Sequence, residues 1–459
     1  TGEWWNNGGG GGTPWDALAF DPQAGLLYVG TGNGSAWDRS LRSAQGGDNL
    51  YLSSIIALDV ATGHLKWHYQ ETPGDQWDYT AVQHMILADV QIGGRLRKVI
   101  MQAPKNGFFY VLDRLTGELL SAEPYARVTW AKGVDLKTGR PIETRQARLY
   151  DKFTVTQSPG PGGAHNWHPM SFNPATGLVY IPAVEGGFNY AHEVGFKRQP
   201  GFWNLGIDLN SRGGPQGLPP LPAADYEAGT GPEVGAASSL LAWDPVAGKP
   251  RWRVKHQATG GGTLTTAGNL VFQGLSDGRL VAYTADTGEK RWEVQLGNAV
   301  MAAPSTWSLD GKQYVSVLVG WGGATGLYAG NPTRQYKAPG RLFTFVLDGT
   351  AKLEPVRGIE RNPLTPIAHQ STPEQLQRGA ALYARRCSMC HGTNVASGGS
   401  IADLRYALPA TYDAMDQIVR QGAYQQLGMP KFDFLTAEEL TAVRNYVLSR
   451  RDALMAAPR

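Results

Sequence analysis

The chain has only two cysteines among its 459 residues, and they stand two positions apart at Cys387 and Cys390. A disulfide framework is therefore excluded, and a thiol-built structural zinc site, which needs four ligands, has too few of them. Charge of one sign is also missing: 42 basic residues face 39 acidic ones, for a net charge of +3. No run of like charge stands out, so nothing here supplies the field that nucleic acid binding requires. No stretch approaches the roughly 18 to 20 apolar residues that would span a bilayer, and no charged start followed by an apolar segment marks a secretory signal. The sequence begins at Thr1 in "TGEWWNNGGGGG", which reads as a chain whose upstream segment is processed off or missing.

Glycine and aromatics are plentiful instead. The chain holds 59 Gly, 14 Trp and 19 Tyr and is only 18% charged, a profile of many turns joining short aromatic strands. Its length argues for a large repetitive domain or for more than one domain. From Thr1 to about Gly349 one phrase returns: "ALDVATGHLKW" (57–67), "AWDPVAGKPRW" (242–252) and "AYTADTGEKRW" (282–292), with a partial copy in "VLDRLTGEL" (111–119). In each, alternating apolar residues lead into a turn with Gly at a fixed place, and in the three full copies a Trp closes the phrase. Strand pairs with an Asp or Asn, Pro and Gly turn lie between them, in "FDPQAGLLYVGTG" and "FNPATGLVYIPA". Repeated small sheets hide their edges best when arranged radially, so the pattern predicts an all-β propeller over residues 1–349. A sandwich with chance similarity among its turns does not explain a spaced Trp three times over.

Residues 350–371 are rich in Pro and charge without a period, and read as a linker. Residues 372–459 change character. Thr372, Pro373 and Gln375 form one helix start, "TYDAMDQIVRQG" reads as a short helix ended by Gly422, and Thr436 with Glu439 opens a third helix carrying Leu440, Val443 and Val447 on one face. This is a small all-α domain.

Both cysteines lie inside it, in "RRCSMCHG" (385–392). A redox dithiol of this spacing normally sits in a β-α-β setting, which is missing here. Cys387, Cys390 and His391 fit covalent haem: the thiols add to the porphyrin vinyl groups and the helical turn sets His391 under the iron. The sixth ligand has three candidates. Met415 reads as core and Met455 as part of a frayed tail, whereas Met429 in "QLGMPKF" lies in a loop stiffened by Pro430; a gap-filling role for Met429 stays open. A His and Met pair raises the reduction potential, which suits a domain that receives electrons.

The stretches "GGTPWDALAFDP", "GTGNGSAWDRS", "HYQETPGDQWDYTAVQHMILAD", "APKNGFFYVLDR", "GAHNWHPMSFNP", "GGTLTTAGNLVFQG" and "APSTWSLDGKQYVSVLVGWGG" together give the chain a resemblance to the quinohaemoprotein alcohol dehydrogenases of type II. The resemblance implies an eight-bladed propeller binding pyrroloquinoline quinone (PQQ) and calcium, with its N-terminal blades missing here, fused to a cytochrome c domain. On local chemistry, Asp78 between Trp77 and Tyr79 is poorly solvated and is as readily a turn residue as a base, while Asp75 follows Gly74 in a turn. The resemblance assigns Asp78 as catalytic base and calcium contact, and Asn33 as calcium ligand, where local chemistry alone reads a left-handed turn. It makes Trp15 the ring stacked on the quinone, with Thr13 beside it, Lys105 the cation at the quinone oxygens, and Asn166 a further cofactor contact. His165 and His168 show no pairing that points to a metal.

Two departures stand out. The family's Trp-Asn pair before "GGT" is replaced by Thr259 and Gly260, and the family's calcium-binding glutamate and adjacent-cysteine disulfide fall upstream of Thr1. The expectation is oxidation of alcohols to aldehydes, with electrons leaving through the haem to a copper protein, a cytochrome or a membrane oxidase subunit. Because thiol attachment of haem happens outside the cytoplasm, the compartment expected is the periplasm. The alternatives are a haem-bearing propeller acting only as electron carrier, or a relative acting on bulkier alcohols or aldehydes.

Overall fold

The computed structural model describes residues 10–43, 45–198, 203–208, 217–233, 235, 237–327 and 330–457; the opening "TGEWWNNGG" lies outside them. Among the described residues five antiparallel sheets of three or four strands follow one another along the chain, with three two-stranded pairs beside them. The first comprises Leu18–Asp21, Leu26–Gly30, Ser54–Asp59 and Leu65–Gln70. The second comprises Met85–Ile92, Arg95–Gln102, Phe108–Asp113 and Leu119–Pro124. The third is built from Ser171–Asn173, Leu178–Glu185, Ala237–Asp244 and Lys249–His256, and the fourth from Gly260–Thr266, Leu270–Leu275, Arg279–Thr284 and Lys290–Gln295. The fifth has three strands, Ser305–Leu309, Lys312–Val319 and Arg341–Val346.

Alternation along each strand explains how the sheets stack. In "FFYVLD", Phe108, Tyr110 and Leu112 pack with Ile55, Trp67 and Tyr69 of the first sheet, while Phe109 and Val111 pack with Val179, Ile181 and Trp243 of the third. Successive side chains of one strand point to opposite faces, so an unbroken apolar run is what a sheet buried on both sides requires. The third sheet meets the fourth through Tyr180, Leu240 and Val281, and the fourth meets the fifth through Leu280, Val317 and Phe343. This face-on series is the β-propeller arrangement predicted from the repeats. At its two ends Leu18 and Phe20 of the first sheet, and Leu318 and Leu342 of the fifth, stay exposed.

Each repeated phrase forms the same corner, the last strand-turn-strand of a sheet. Asp59, Asp113 and Asp244 cap the turn by accepting backbone N–H groups two or three residues on, and Gly63, Gly117, Gly248 and Gly288 adopt φ values of +72°, +77°, +62° and +75°. The Trp has an inter-sheet task. Trp67 Nε1 and Tyr28 Oη both donate to Arg114 O at the corner of the second sheet, at 3.2 and 2.8 Å. Trp252 Nε1 and Tyr180 Oη do the same to Ala285 O of the fourth, at 3.1 and 2.8 Å. The corner glycine leaves room for the indole: a Cβ on Gly288 would stand 2.6 Å from Trp252, and one on Gly117 2.8 Å from Trp67.

The C-terminal region is helical, with Pro373–Arg386 and Ala437–Ala456 crossing so closely that a Cβ on Gly379 would strike the backbone of Ala442. Both predicted capping boxes, Thr372 with Gln375 and Thr436 with Glu439, are formed. The last helix runs through Met455, which corrects the expectation of a frayed tail there: the helical ladder continues to Ala456. Met415 packs beside the core of Tyr383, Tyr412, Val443 and Leu448. Residues 350–371 hold no helix or strand, yet they are tied down. Ile359 N donates to Gln335 O, and the fully buried Arg451 guanidinium donates to Thr365 O as well as to Arg405 O and Ala407 O. The helical region also touches the sheets directly, through Asn331 Nδ2 to Gly398 O at 2.7 Å, Ser400 Oγ to Gly326 O at 2.7 Å, and an Arg385–Glu193 ion pair.

The corner geometry makes a quantitative prediction. Gly288→Ala meets both the left-handed backbone and the Trp252 ring, and is expected to cost about 2–4 kcal/mol. Gly25→Ala, at φ +64° with nothing within 4 Å, meets the backbone penalty alone, about 1–2 kcal/mol. Thermal unfolding of the two variants checks the order; equal losses would contradict the packing role of the corner.

Candidate active site and haem-binding turn

The strand Leu26–Gly30 of the first sheet continues into Thr31, Gly32 and Asn33 at the inner end of the array. Two glycines let other segments close on it: a Cβ on Gly32 would stand 2.9 Å from Thr13 O and 3.5 Å from the Trp15 ring, and one on Gly30 would collide with the backbone at Ala81. Backbone bonds then lock three segments side by side, Gly12 N to Asn33 O (3.0 Å), Ala81 N to Thr31 O (3.0 Å) and Ala17 N to Val82 O (3.1 Å). Thr13 and Trp15 are thus set against Gly32, next to Asn33, and Thr31 of the same segment is tied to Ala81, three residues after Asp78. Trp15 is 45% exposed and Thr13 is exposed, so the indole is not a core ring but a free flat surface. Asn33 Nδ2 makes one long contact, 3.4 Å to Gly34 O.

Asp78 sits in the loop after the first sheet, in the left-handed region at φ +68°. Its Oδ2 accepts from Lys105 Nζ at 2.8 Å; the lysine side chain is 7% exposed and the aspartate 19%. Burial pushes the Asp78 carboxyl up to about 6, against the pull of the Lys105 ammonium, with the negative charge of Asp75 adding to the rise. Asp78 is poorly solvated as expected, whereas Asp75, expected in an ordinary turn, is more buried still. Asp75 is the fully buried one; its Oδ1 accepts the N–H groups of Trp77 (3.2 Å) and Tyr79 (3.0 Å), which curls the loop around Asp78.

Lys105 lies between two strands of the second sheet, and its carbonyl accepts from Ala164 N at 3.0 Å; Gly163 packs against its side chain with no room for a Cβ. The same turn carries Asn166, whose side chain bonds within the turn to Gly162 O and Trp167 N, each at 2.9 Å. His165 is buried and fastens the turn to the strand, with its ring nitrogens 2.6 Å from Ala103 O and 2.7 Å from His168 O. The sequence offers His165 no metal partner and no hint of this fastening role, since both its partners are carbonyls and carry no side-chain signal. Thr259 N and Ser276 Oγ pair at the start of the fourth sheet, so the position where the sequence departs is an ordinary strand entry. Among the described residues no three His, Cys, Asp or Glu side chains converge on a metal position; the calcium ligands expected in this chain are Asn33 and Asp78. A hard cation here needs further oxygens beyond that pair.

Cys387 ends the helix Pro373–Arg386, and Ser388–His391 forms one further turn in which Cys390 N and His391 N both bond to Cys387 O. The thiols are free. His391 Nδ1 lies 3.0 Å from Ala402 O, an acceptor that fixes the ring and sets the tautomer with the proton on Nδ1. Met429 is half-buried in the loop before the last helix, its N–H bonded to Tyr424 O. Met389, Ile401, Leu408, Leu427 and Phe434 of this domain are exposed apolar side chains, and no compact all-protein core accounts for them.

Two family models match the chain. One, described as the β-propeller domain of glucose/ethanol/alcohol dehydrogenases, matches residues 1–129 and 234–315; the other, described as subunit III of cbb3-type cytochrome c oxidase, matches residues 374–447. Quinohemoprotein alcohol dehydrogenase ADH IIB of Pseudomonas putida is 49% identical over 96% of this chain and 62% of its own length. Among solved structures, the quinohemoprotein alcohol dehydrogenase ADHIIG of Pseudomonas putida HK5 aligns with a TM-score of 0.86 and 42% identity over 99% of this chain and 66% of that one. The enzyme of the same name from Comamonas testosteroni gives 0.84 and 45%, over 99% and 65%. The chain thus spans a little under two thirds of the relatives it matches. With the propeller sheets, the haem-binding turn and these likenesses over nearly all of its length, it belongs to the quinohaemoprotein alcohol dehydrogenase family.

Proposed function

We propose that this protein oxidises alcohols to aldehydes in the periplasm and passes the electrons singly through its own haem to a copper protein, a cytochrome or a membrane oxidase subunit. The observation that carries the reading is the buried contact of Asp78 with Lys105, in one chain with an exposed Trp15 ring standing against Gly32 next to Asn33 and with an oriented His391. When bound, PQQ supplies a two-electron acceptor for hydride, calcium a Lewis acid at oxygen, and haem c a one-electron outlet.

The residues present suit those groups. Trp15 offers a flat apolar surface, with Thr13 at its side, for a planar ring. The Asn33 and Asp78 oxygens form part of a hard-cation site, and Asn166 borders the pocket on the Lys105 side. Asp78 is the base: its carboxylate takes the hydroxyl proton, and low solvation keeps its proton affinity high enough for that task. Lys105 holds Asp78 in place and sets a fixed positive charge where negative charge develops, in a site with little water to screen it. Cys387 and Cys390 would hold the haem through their thiols, and His391 Nε2 and Met429 Sδ would be the side chains offered to its iron.

Two outcomes follow. Asp78→Asn in the protein loaded with quinone and calcium is expected to lower kcat by about 10²–10⁴-fold while quinone stays bound, measured with a dye acceptor; undiminished turnover would remove the base assignment. Met429→Ala is expected to leave the haem covalently attached but to lower its midpoint potential in a redox titration. An unchanged potential would return Met429 to gap-filling.

A further inference from the structure

We infer that Arg42 and Arg148 are positioning residues for Asp78, acting as a pair of guanidinium clamps on the backbone of its loop. The inference rests on the reading of Asp78 as the base. Three successive carbonyls of "PGD" point outward from the loop, and each is taken by an arginine. Arg148 donates to Pro73 O at 3.2 Å and to Gly74 O at 2.6 Å, and Arg42 donates to Asp75 O. The planar fork of arginine reaches two neighbouring carbonyls in a fixed geometry, whereas a lysine ammonium is a point charge on a flexible stem.

Each clamp is itself anchored. Arg148 makes a two-point ion pair with Glu143, at 2.9 and 2.5 Å, and lies 4.4 Å over the Trp77 ring. Arg42 reaches Asn49 Oδ1 at 3.2 Å and the carbonyls of Ala36 and Trp37. It projects from the helical turn Arg39–Arg42, which Asp38 caps through Ser40 N while also contacting His192 Nδ1. A third arginine, Arg39, rests on Gly74, and a Cβ there would come within 2.8 Å of its guanidinium carbon.

Inside the clamps, the Asp75 carboxylate holds the amides of Trp77 and Tyr79, and the two rings stack at 5.5 Å beneath Arg148. The loop is thus held at residues 73, 74, 75, 77 and 79, and Asp78 is suspended between fixed neighbours in a left-handed conformation. A non-glycine residue keeps such a backbone only where its surroundings hold it there. Neither guanidinium bonds to Asp78 or Lys105, so both act through the loop.

The test uses the protein carrying quinone, calcium and haem. Arg42→Gln is expected to lower kcat by about 10²-fold with alcohol KM and quinone affinity unchanged, since misplacing a reacting group by about 1 Å has that effect. The isotope effect with alcohol deuterated at the carbinol carbon is expected to rise. Amide hydrogen exchange across 73–79 is expected to quicken while the strands of the first two sheets keep their protection. Arg42→Lys, retaining the charge and a donor group but not the planar fork, is expected to fall between. Unchanged kcat with unchanged exchange in the loop would overturn the inference, as would exchange quickened equally throughout the sheets. Should Arg42→Gln not fold, Arg148→Lys reads the same loop by the same two measurements, and the same results decide. Asp78→Asn run alongside separates the two ideas: full activity there defeats the base assignment, whereas an inactive Asp78→Asn with a fully active Arg42→Gln defeats the clamp alone.

Discussion

The buried pairing of Asp78 with Lys105 is the constraint around which the propeller end is organised. The two residues leave neighbouring sheets, Asp78 from the loop after the last strand of the first and Lys105 from the turn inside the second. Removing either partner strands a charge in a poorly solvated place, a cost of several kcal/mol in comparable sites. The contact is held only if the two sheets are in fixed register. That register comes from Trp67 and Tyr28, which both donate to the same corner carbonyl, and from the glycine that lets the indole reach it.

Much of this was legible in the sequence because the physics is local. An Asp or Asn followed by Gly four residues on makes its own turn, so the repeats predicted sheet corners, and the capping residues Thr372 and Thr436 predicted helix starts from adjacent chemistry. The spacing of Cys387, Cys390 and His391 likewise closes within one helical turn. The clustering of Trp15, Asn33, Asp78 and Lys105 was accessible through family likeness alone, since an exposed Trp and an Asn between glycines carry no local mark of function.

What escaped the sequence depends on distance along the chain. Asp75 reads as an ordinary turn residue until the amides of Trp77 and Tyr79 are seen to need an acceptor. Arg42 lies 33 residues from the carbonyl it holds and Arg148 lies 74 from Gly74, with nothing in their surroundings to pair them. The segment 350–371 has a linker's composition, yet the Gln335 carbonyl and the buried Arg451 fix it at Ile359 and Thr365. Composition describes what a segment can do alone; these bonds are made by partners elsewhere.

The helical domain rests on the sheets by way of Gly326, Asn331 and Glu193, and its haem-binding turn neighbours the Gly323–Leu327 segment, against which Trp167 packs. Trp167 directly follows Asn166, so one short succession of contacts joins the turn beside Lys105 to the turn that carries Cys387, Cys390 and His391. The central claim, that alcohol oxidation at Asp78 feeds that haem within one chain, is tested most directly by mixing the oxidised protein, loaded with quinone and calcium, with a primary alcohol without oxygen and following the haem spectrum. The account predicts haem reduction at a rate independent of protein concentration. Haem that stays oxidised, or that is reduced only in proportion to protein concentration, would contradict it.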